Sequence, residues 1–327
     1  MIKILQGNCI DKIKELDDNS IDCVVSSPPY FGLRDYGVDN QFGLEKNYYD
    51  YLANTVKVFE TFKPKLKDTA TIWWNVGDSY HNYRPTNNKQ GMYKKPDYPK
   101  QSIAGNRQDL PKHSLKRNQR YQEIKEKDLM MIPNRVAIAL QDAGWYIRSE
   151  IIWHKPNPMP ESVRDRPTSC HEKIWLITKS KKYYYDADAI REPVAQGTIT
   201  RLSEKNLKNQ KGSIRANGGM RSNGNMKPVG NMETKNKRNV WTITTKPFKD
   251  AHFATFPKDL IEPCIKAGCP EGGIVLDPFG GSGTTGIVAA LNNRKSILIE
   301  LNKDYIDIAN KRIDKEVGLF NENISSL

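Results

Sequence analysis

The segment from residue 273 to residue 293, GIVLDPFGGSGTTGIVAALNN, constrains the fold of this chain more than any other part of the sequence. Its first apolar residues predict a short buried strand, and the apolar run after the glycines predicts a helix. Between them, Gly281, Gly283 and Gly286 match the pattern G-x-G-x-x-G. Glycines permit a tight turn and the close approach of a ligand, and the helix start offers unpaired N–H groups. The segment therefore predicts an α/β sheet with a ligand site at the carboxyl end of this strand.

Outside two basic segments, residues 81–120 and residues 195–239, the chain alternates strand-like and helix-like stretches. An α/β sheet with crossover helices requires this alternation. Strands are predicted at residues 21–26, 69–77, 146–155, 172–180 and 296–300, and helices at residues 47–66, 131–145, 256–268 and 303–313. We also predict that residues 172–180 form a hairpin with residues 182–190. A length of 327 residues fits about two domains with a substantial hydrophobic core.

The cellular compartment follows from what the sequence lacks. No run approaches the roughly 18 apolar residues of a membrane span, and the N-terminal residues show no signal-peptide core or cleavage site. We therefore expect a soluble, cytoplasmic protein with no membrane partner. The five cysteines are odd in number and include no C-x-x-C pair, so we expect thiols rather than disulfides. The histidines show no ligand spacing, and we expect no zinc or other metal site.

The net charge of +13 comes from two segments. Residues 81–120 and residues 195–239 each carry ten Lys and Arg against two acidic residues, so each contributes +8 and the rest of the chain sums to −3. Both segments lack the apolar periodicity of a core element, and the second is rich in Gly and Asn. Clustered cations bind nucleic acids because they release counterions from phosphates. We interpret both segments as basic loops that contact a polyanion; solvated insertions without a ligand are the alternative.

Two carboxylates flank the glycine loop and indicate what it binds. Glu300 ends the next predicted strand, 17 residues after Gly283, where it can accept hydrogen bonds from ribose hydroxyls. Asp277 precedes the loop, and its charge would repel a pyrophosphate but suits a ligand with an ammonium and a sulfonium group. We therefore predict an S-adenosylmethionine site, with an NAD site as the alternative; no G-K-[ST] follows the loop, which disfavours a P-loop nucleotidase. The predicted cofactor residues are Asp277, Pro278, Phe279, Gly280, Gly281, Ser282, Gly283, Thr284, Thr285 and Glu300, with Phe256 from the preceding segment.

The turn Ser27-Pro28-Pro29-Tyr30 follows a predicted strand, at the edge where open α/β sheets place their chemistry. The amine of a nucleobase is a poor nucleophile because its lone pair is delocalised into the ring. Acceptors for its two hydrogens, here the Ser27 hydroxyl and the Pro28 carbonyl, would favour a tetrahedral nitrogen whose lone pair faces a methyl donor. Tyr30 can stack on the base. A rigid strand-ending turn packed by Tyr30 is the structural alternative.

With these motifs, the chain resembles the amino-group DNA methyltransferases, which modify cytosine N4 or adenine N6. The resemblance rests on DPFGGSGTTG (277–286), SPPY (27–30) and HFATFPKDLIEPCIKAG (252–268). It covers most of the chain and leaves the two basic segments outside. Because SPPY precedes the glycine loop, the motif order is that of the β group of this family.

The resemblance implies a Rossmann-like methyltransferase sheet of seven strands with circularly permuted order, in which strands 273–277 and 296–300 come spatially before strand 2–6. It implies a catalytic half at 1–155 that carries the basic insertion 81–120, a target-recognition region at 156–250 and a cofactor-binding half at 251–327. Asn8 would edge the adenine pocket. The implied partners are double-stranded DNA, from which the target base is flipped, and a cognate restriction endonuclease. The predicted DNA contacts are Lys205, Lys208, Lys211, Arg215 and Arg221.

The base and several other activities remain open at this point. Family members with Ser before Pro-Pro-Tyr mostly resemble cytosine-N4 enzymes, so Ser27 favours cytosine N4, with adenine N6 as the alternative. A C5-cytosine enzyme would need Cys264 as its nucleophile, but apolar neighbours predict that this thiol lies in the core. An NAD-linked oxidoreductase leaves SPPY unused, and a non-catalytic DNA-binding protein gives no reason for Asp277 and Glu300. RNA and protein-glutamine methyltransferases also use an X-Pro-Pro-Tyr turn, usually with Asn first.

Overall fold

The computed structural model describes residues 1–34, 37–38, 41–81, 124–203, 233–245 and 256–318. Its strands are β1 (Ile2–Gln6), β2 (Ile21–Ser26), β3 (Leu66–Val76), β4 (Tyr146–His154), β5 (His171–Thr178), β6 (Glu192–Pro193), β7 (Thr234–Lys235), β8 (Val240–Thr242), β9 (Ile274–Asp277) and β10 (Lys295–Glu300). Its helices are α1 (Cys9–Lys14), α2 (Tyr48–Phe62), α3 (Ile132–Asp142), α4 (Gln196–Ser203), α5 (Lys258–Gly268), α6 (Thr284–Leu291) and α7 (Lys303–Val317).

Within the described residues, the central sheet has eight strands in the order β1-β10-β9-β2-β3-β5-β4-β8. All neighbours are parallel except β5, which runs antiparallel to both β3 and β4. The α/β class is therefore confirmed, and so is the circular permutation, because the C-terminal strands β9 and β10 lie between β2 and the N-terminal strand β1. The short strand β8 pairs with β4 and adds an eighth strand to the seven that the resemblance implied.

The predicted hairpin between residues 172–180 and residues 182–190 is wrong. Strand β5 is flanked by β3 on one edge and β4 on the other, so neither edge is open to a further strand. Residues 182–190 instead form bends and a short 3₁₀ turn, and Tyr184 N donates one hydrogen bond to Thr69 O.

Local signals explain where the helices begin and end. The Asn47 side chain accepts a hydrogen bond from Asp50 N and so starts α2. The helix ends at Phe62, earlier than the predicted residue 66, in a 3₁₀ turn that contains Pro64, which has no N–H to donate. Helix α5 starts directly after Pro257 and buries Cys264, as expected for a core thiol.

Aromatic side chains fill the core between α2, α3 and the sheet. The Phe59 ring lies edge-on to Trp74 at 5.0 Å and to Trp145 at 5.3 Å between ring centroids. All six residues of β2 are buried, which agrees with the apolar run of a parallel strand covered on both faces. The structure shows the five cysteines as thiols without disulfides. Among the described residues, none of the helices has the length and apolar character needed to span a membrane.

The chain divides into two compact units, one formed by Met1–Tyr185 with Asn239–Leu327 and the other by Asp186–Arg238. In the second unit, β6 and β7 pair antiparallel, and Arg191 Nε donates to Thr234 Oγ1 at 2.8 Å. This unit lies inside the range 156–250 expected for target recognition. The same range also contains β5 and β8, which belong to the central sheet.

Candidate functional site

A cavity of about 720 Å³ lies at the carboxyl ends of β2, β9 and β10. Open α/β sheets bind their ligands at this edge, where the strand order reverses. Residues 278–282 of the glycine loop and all four residues of the SPPY turn line this cavity. The two motifs are separated by about 250 residues in the sequence, and the sheet order brings them into one wall because β2 and β9 are neighbours.

Glycine is required at two places in the loop. Gly281 has φ +49° and lines the cavity, where an added Cβ would meet only Phe279 O at 3.9 Å. Gly283 has φ +81°, and an added Cβ would lie 3.0 Å from the Ala309 Cβ on α7. Backbone of this kind costs little for glycine and leaves room for a ligand beside the loop.

Asp277 anchors the loop from its carboxyl-terminal position on β9. Its carboxylate accepts hydrogen bonds from Ser26 Oγ at 2.6 Å, from Thr285 Oγ1 at 2.6 Å and from Phe279 N at 3.0 Å. The side chain lines the cavity but is almost completely buried. Burial raises the pKa of Asp277 to about 6, although the three hydrogen bonds favour the charged form.

Glu300 holds the far end of the same loop. One carboxylate oxygen accepts from Gly281 N at 2.8 Å, and the other accepts from Asn302 N at 2.8 Å. Burial raises the pKa of this group too, against the effect of its backbone N–H donors. The side chain is half-buried and lines the cavity, so the predicted ribose partner is positioned by the loop that it helps to shape.

Helix α7 stabilises the glycine loop through the side chain of Arg312. Arg312 Nη1 donates to Ser282 O at 2.7 Å, to Ser282 Oγ at 2.8 Å and to Thr284 Oγ1 at 3.0 Å. Glu316, one turn further along α7, pairs with Arg312 and with Lys258 of α5. This network was not predicted, because the sequence gives no sign that α7 packs against the loop.

The SPPY turn continues from β2. Tyr30 Oη donates to Glu172 Oε2 at 2.6 Å, and Ser27 Oγ donates to Tyr30 Oη at 3.2 Å. Tyr51 Oη donates to Pro29 O at 3.3 Å and fixes the turn against α2. The Tyr30 ring packs against Gly77, where an added Cβ would lie 2.5 Å from the ring, so glycine permits this close packing.

Other strands contribute residues beside the SPPY turn that the sequence analysis missed. Asn75 of β3, Trp153 of β4, and Lys155 and Glu172 beside the ends of β4 and β5 all line the cavity. Glu172 forms an ion pair with Lys155, whose ammonium lies 4.3 Å from the centroid of the Trp153 ring. Because β5 is antiparallel, its first residues lie at the same sheet edge as the last residues of β2, β3 and β9. A glutamate at the start of an apolar strand is the signal that could have located Glu172.

Most predicted cofactor and catalytic residues line the one cavity. These are Asn8, Ser27, Pro28, Pro29, Tyr30, Phe256, Asp277, Pro278, Phe279, Gly280, Gly281, Ser282, Thr284 and Glu300.

Two predicted cofactor residues do not line the cavity. Gly283 packs against Ala309, and Thr285 points back to Asp277, so both support the loop from behind. The predicted DNA-contacting residues Lys205, Lys208, Lys211, Arg215 and Arg221 lie outside the described residues, as do residues 82–120 of the first basic segment. Asn8 lines the cavity while its side-chain oxygen accepts from Ile10 N and caps α1.

Comparison with known proteins identifies the family. The model of the N6_N4_Mtase family, described as DNA methylase, matches residues 21–311, which include both the SPPY turn and the glycine loop. The chain belongs to this DNA methylase family. The amino-group DNA methyltransferase family expected from the sequence motifs is therefore confirmed.

Relatives of this DNA methylase include Type II methyltransferases. M.Cfr9I of Citrobacter freundii is 42% identical over 315 residues, which cover 96% of this chain and 88% of that protein. M.SmaI of Serratia marcescens is 40% identical over 311 residues, which cover 95% of this chain and 90% of that protein. The DNA methylase is thus similar along nearly its whole length to enzymes of restriction-modification systems.

Solved structures share the fold of this DNA methylase. PvuII DNA methyltransferase, described as cytosine-N4-specific, is similar with a TM-score of 0.60 and 17% identity, over 98% of this chain and 91% of that chain. The Thermus thermophilus protein TTHA0409 in complex with S-adenosyl-L-methionine has a TM-score of 0.56 and 18% identity, over 97% of this chain and 96% of that chain.

Proposed function

We propose that this DNA methylase transfers a methyl group from S-adenosylmethionine to the N4 amine of a cytosine in double-stranded DNA. The observation that carries the proposal is a single cavity that is lined by both a carboxylate-flanked glycine loop and an SPPY turn. A dinucleotide oxidoreductase would leave the second half of this cavity without a role.

The cofactor side fits S-adenosylmethionine. The cavity volume of about 720 Å³ lies within the range of small-molecule sites. Gly281 leaves open space beside the loop, and the carboxylates of Glu300 and Asp277 line the cavity. These observations support contacts of Glu300 with the ribose hydroxyls and of Asp277 with the ammonium group. When bound, the cofactor supplies an electrophilic methyl group on a sulfonium. The remaining proposed contacts are Asn8, Phe256, Pro278, Phe279, Gly280, Ser282, Thr284 and, from behind the loop, Gly283 and Thr285.

The catalytic side acts on the amine of a flipped base. A base inside the duplex is unreachable, so the target must leave the stack before reaction. The Ser27 hydroxyl and the Pro28 carbonyl then accept the two amine hydrogens, which turns the nitrogen lone pair toward the methyl group. Pro29 and Pro28 hold the turn rigid, and the Tyr30 ring stacks on the base.

Cytosine N4 is favoured over adenine N6 by two observations. Serine precedes Pro-Pro-Tyr in this chain, and PvuII DNA methyltransferase, which shares the fold, is described as cytosine-N4-specific. Adenine N6 is the second candidate, since its amine can satisfy the same two acceptors.

We propose that the target-recognition region, 156–250, binds the DNA and that the basic segment 81–120 contacts it from another side. The catalytic half 1–155 and the cofactor-binding half 251–327 share the central sheet. The similarity to Type II methyltransferases favours a cognate restriction endonuclease as the functional partner.

Nucleoside mass spectrometry tests the proposal. Unmethylated plasmid DNA incubated with the protein and S-adenosylmethionine should yield N4-methylcytosine. N6-methyladenine alone would overturn the choice of base, and the absence of both would overturn the activity.

Tyr30→Ala should nearly abolish methyl transfer but leave cofactor affinity near that of the parent, because Tyr30 faces the base and not the glycine loop. Tyr49→Ala, at an exposed tyrosine on α2, is the matched control and should methylate normally. Substantial turnover by the Tyr30 variant would show that this residue is not needed for methyl transfer.

A further inference from the structure

Polar side chains form an unbroken hydrogen-bonded line along the catalytic side of the cavity. Ser27 Oγ donates to Tyr30 Oη at 3.2 Å, and Tyr30 Oη donates to Glu172 Oε2 at 2.6 Å. Tyr30 Oη also lies 3.2 Å from Asn75 Oδ1, but the Glu172 oxygen is closer, so the line that leads from Ser27 through Tyr30 ends at the carboxylate. Ser27 in turn has a lone pair available to accept a hydrogen from an amine in the cavity.

The carboxylate at the end of this line is ion-paired and fixed in position by its neighbours. Lys155 pairs with the other oxygen of Glu172, and the two side chains are 19% and 17% exposed. Asn75 Nδ2 donates to Lys173 O at 3.1 Å and lies 3.3 Å from Glu172 Oε2, which fixes the carboxylate from the β3 side. A charged carboxylate with a hydrogen-bonded phenol can accept a proton without moving.

Tyr30 is suited to pass a proton but not to act as the base. Its burial and the neighbouring Glu172 carboxylate raise the pKa of the Tyr30 phenol well above its ordinary value. The phenol therefore stays protonated, and it can release its hydrogen to Glu172 only as it receives one from Ser27.

We propose that Glu172 is the terminal proton acceptor of methyl transfer, reached from the target amine through Ser27 and Tyr30. This inference rests on the proposed function, and it applies equally to a cytosine or an adenine amine. The exocyclic nitrogen forms a bond to the methyl carbon as the bond from that carbon to the sulfonium sulfur breaks. The amine then loses one proton to Ser27 Oγ, the Ser27 proton moves to Tyr30 Oη, and the Tyr30 proton moves to a Glu172 oxygen. The products are the methylated neutral amine, a neutral thioether and a protonated Glu172 carboxyl beside Lys155.

Single-turnover methylation of duplex DNA by Glu172→Gln, Glu172→Asp, Tyr30→Phe and the double variant Glu172→Gln/Tyr30→Phe tests the relay. Glutamine keeps the size and an acceptor for Tyr30 but cannot take the proton, so the rate should fall about 100-fold or more. Tyr30→Phe should cause a similar loss, and Glu172→Asp should recover at least about ten-fold over Glu172→Gln. Affinities for S-adenosylmethionine and for DNA should stay within about two-fold of the parent in all variants.

The double variant separates a relay from two independent structural effects. If one path is interrupted twice, the double variant should be no slower than the slower single variant. If the rate reductions of the two single variants multiply in the double variant, the relay is overturned. A Glu172→Gln or Tyr30→Phe rate within about three-fold of the parental rate would also overturn it. If Glu172→Gln fails to bind cofactor, Tyr30→Phe and Glu172→Asp decide by the same rates.

Glu150→Gln is the matched control, because Glu150 is a lysine-paired glutamate on β4, bonded to Lys173. It should methylate at the parental rate. A parent protein that methylates neither amine would contradict the proposed function, whereas an active parent with fully active variants would contradict only the relay.

Discussion

Asp277 and Glu300 show how single residues set the charge and shape of the cavity beside the glycine loop. Each is a carboxylic acid in the wall of the cavity, and burial raises the pKa of each. Each also shapes the glycine loop, Asp277 through Phe279 N and Glu300 through Gly281 N. A substitution at either position therefore changes the charge offered to a ligand and the shape of the loop together.

Glu300→Ala should weaken S-adenosylmethionine binding by about ten-fold or more, because a charged acceptor for the ribose hydroxyls is lost, at roughly 1.5–3 kcal/mol. Isothermal titration calorimetry measures the change. Glu271→Ala is the matched control, since this exposed glutamate pairs with Arg294 away from the cavity, and its affinity should match that of the parent. Unchanged affinity in the Glu300 variant would show that the ribose is bound elsewhere.

The pKa of about 6 for Asp277 predicts how stability depends on pH. The folded protein binds this proton more tightly than the unfolded chain, in which the aspartate pKa is about 3.9, so the free energy of unfolding falls as pH rises between about 4 and 6. The loss approaches about 3 kcal/mol above this range.

Asp277→Asn removes this titration. Urea unfolding should be measured for variant and parent at about pH 4.5 and about pH 7.5. The free energy of unfolding of the variant, relative to that of the parent, should be about 2–3 kcal/mol higher at the upper pH than at the lower. A difference between variant and parent that is the same at both pH values would mean that the Asp277 pKa is not raised.

At the scale of elements, the glycine loop depends on α7 as much as on its own strand and helix. Arg312 holds the loop from one side, and Gly283 allows α7 to approach within contact distance. Gly283→Ala should lower the free energy of unfolding by at least about 1 kcal/mol, since alanine is disfavoured at φ +81° and its Cβ would crowd Ala309. Thermal or urea unfolding measures this loss.

Gly318→Ala provides the control at the end of α7. This glycine has an ordinary helical φ of −54°, and an added Cβ would meet nothing within 4 Å. Alanine there should be neutral or stabilising by up to about 1 kcal/mol. If both variants have parental stability, the close approach of α7 to the loop is not required.

The elements that could be predicted from the sequence are those with local signals. Strands β2, β9 and β10 are short apolar runs beside turn residues, and the loop at Gly281 carries its own pattern. The antiparallel insertion of β5 between β3 and β4 could not be predicted, because strand pairing depends on contacts far apart in sequence. For the same reason, the local pattern of residues 182–190 wrongly predicts a hairpin.

The same distinction applies to the cavity. Ser27, Tyr30 and Asp277 lie in recognisable motifs, so their location was predictable. Glu172 lies 142 positions after Tyr30, and only the sheet order brings their side chains to 2.6 Å. A sequence pattern carries no information about such a pair unless the strand order is already known.

At the scale of the whole molecule, positive charge is concentrated in segments outside the central sheet. Residues 195–239 and residues 81–120 each carry +8, while the rest of the chain sums to −3. We expect the phosphate contacts of DNA to come from these segments, with base contacts adding specificity.

Neutralising Lys205, Lys208 and Lys211 together with glutamine should weaken binding to every duplex, whatever its sequence. The slope of log affinity against log salt should flatten by about 0.9 for each phosphate that the variant no longer neutralises. Fluorescence anisotropy over a salt series measures the slope. The control neutralises Lys14, Lys311 and Lys315, which are exposed on α1 and α7, and should keep the parental slope. An unchanged slope in the first variant would indicate that the phosphate contacts come from residues 81–120 instead.

Strand β9 lies between β2 and β10 in the sheet. During translation, however, Asp277 of β9 is synthesised 251 positions after Ser26 of β2, its hydrogen-bond partner. A ribosome that adds about 5–20 residues per second needs roughly 12–50 s to cover that distance. During this time the nascent chain already carries the SPPY turn, but one edge of β2 has no strand beside it. An apolar strand with an open edge pairs readily with other chains, so newly made protein is prone to aggregate until β9 arrives. The same delay keeps unfinished chains from modifying DNA, because the site is assembled only when the glycine loop leaves the exit tunnel.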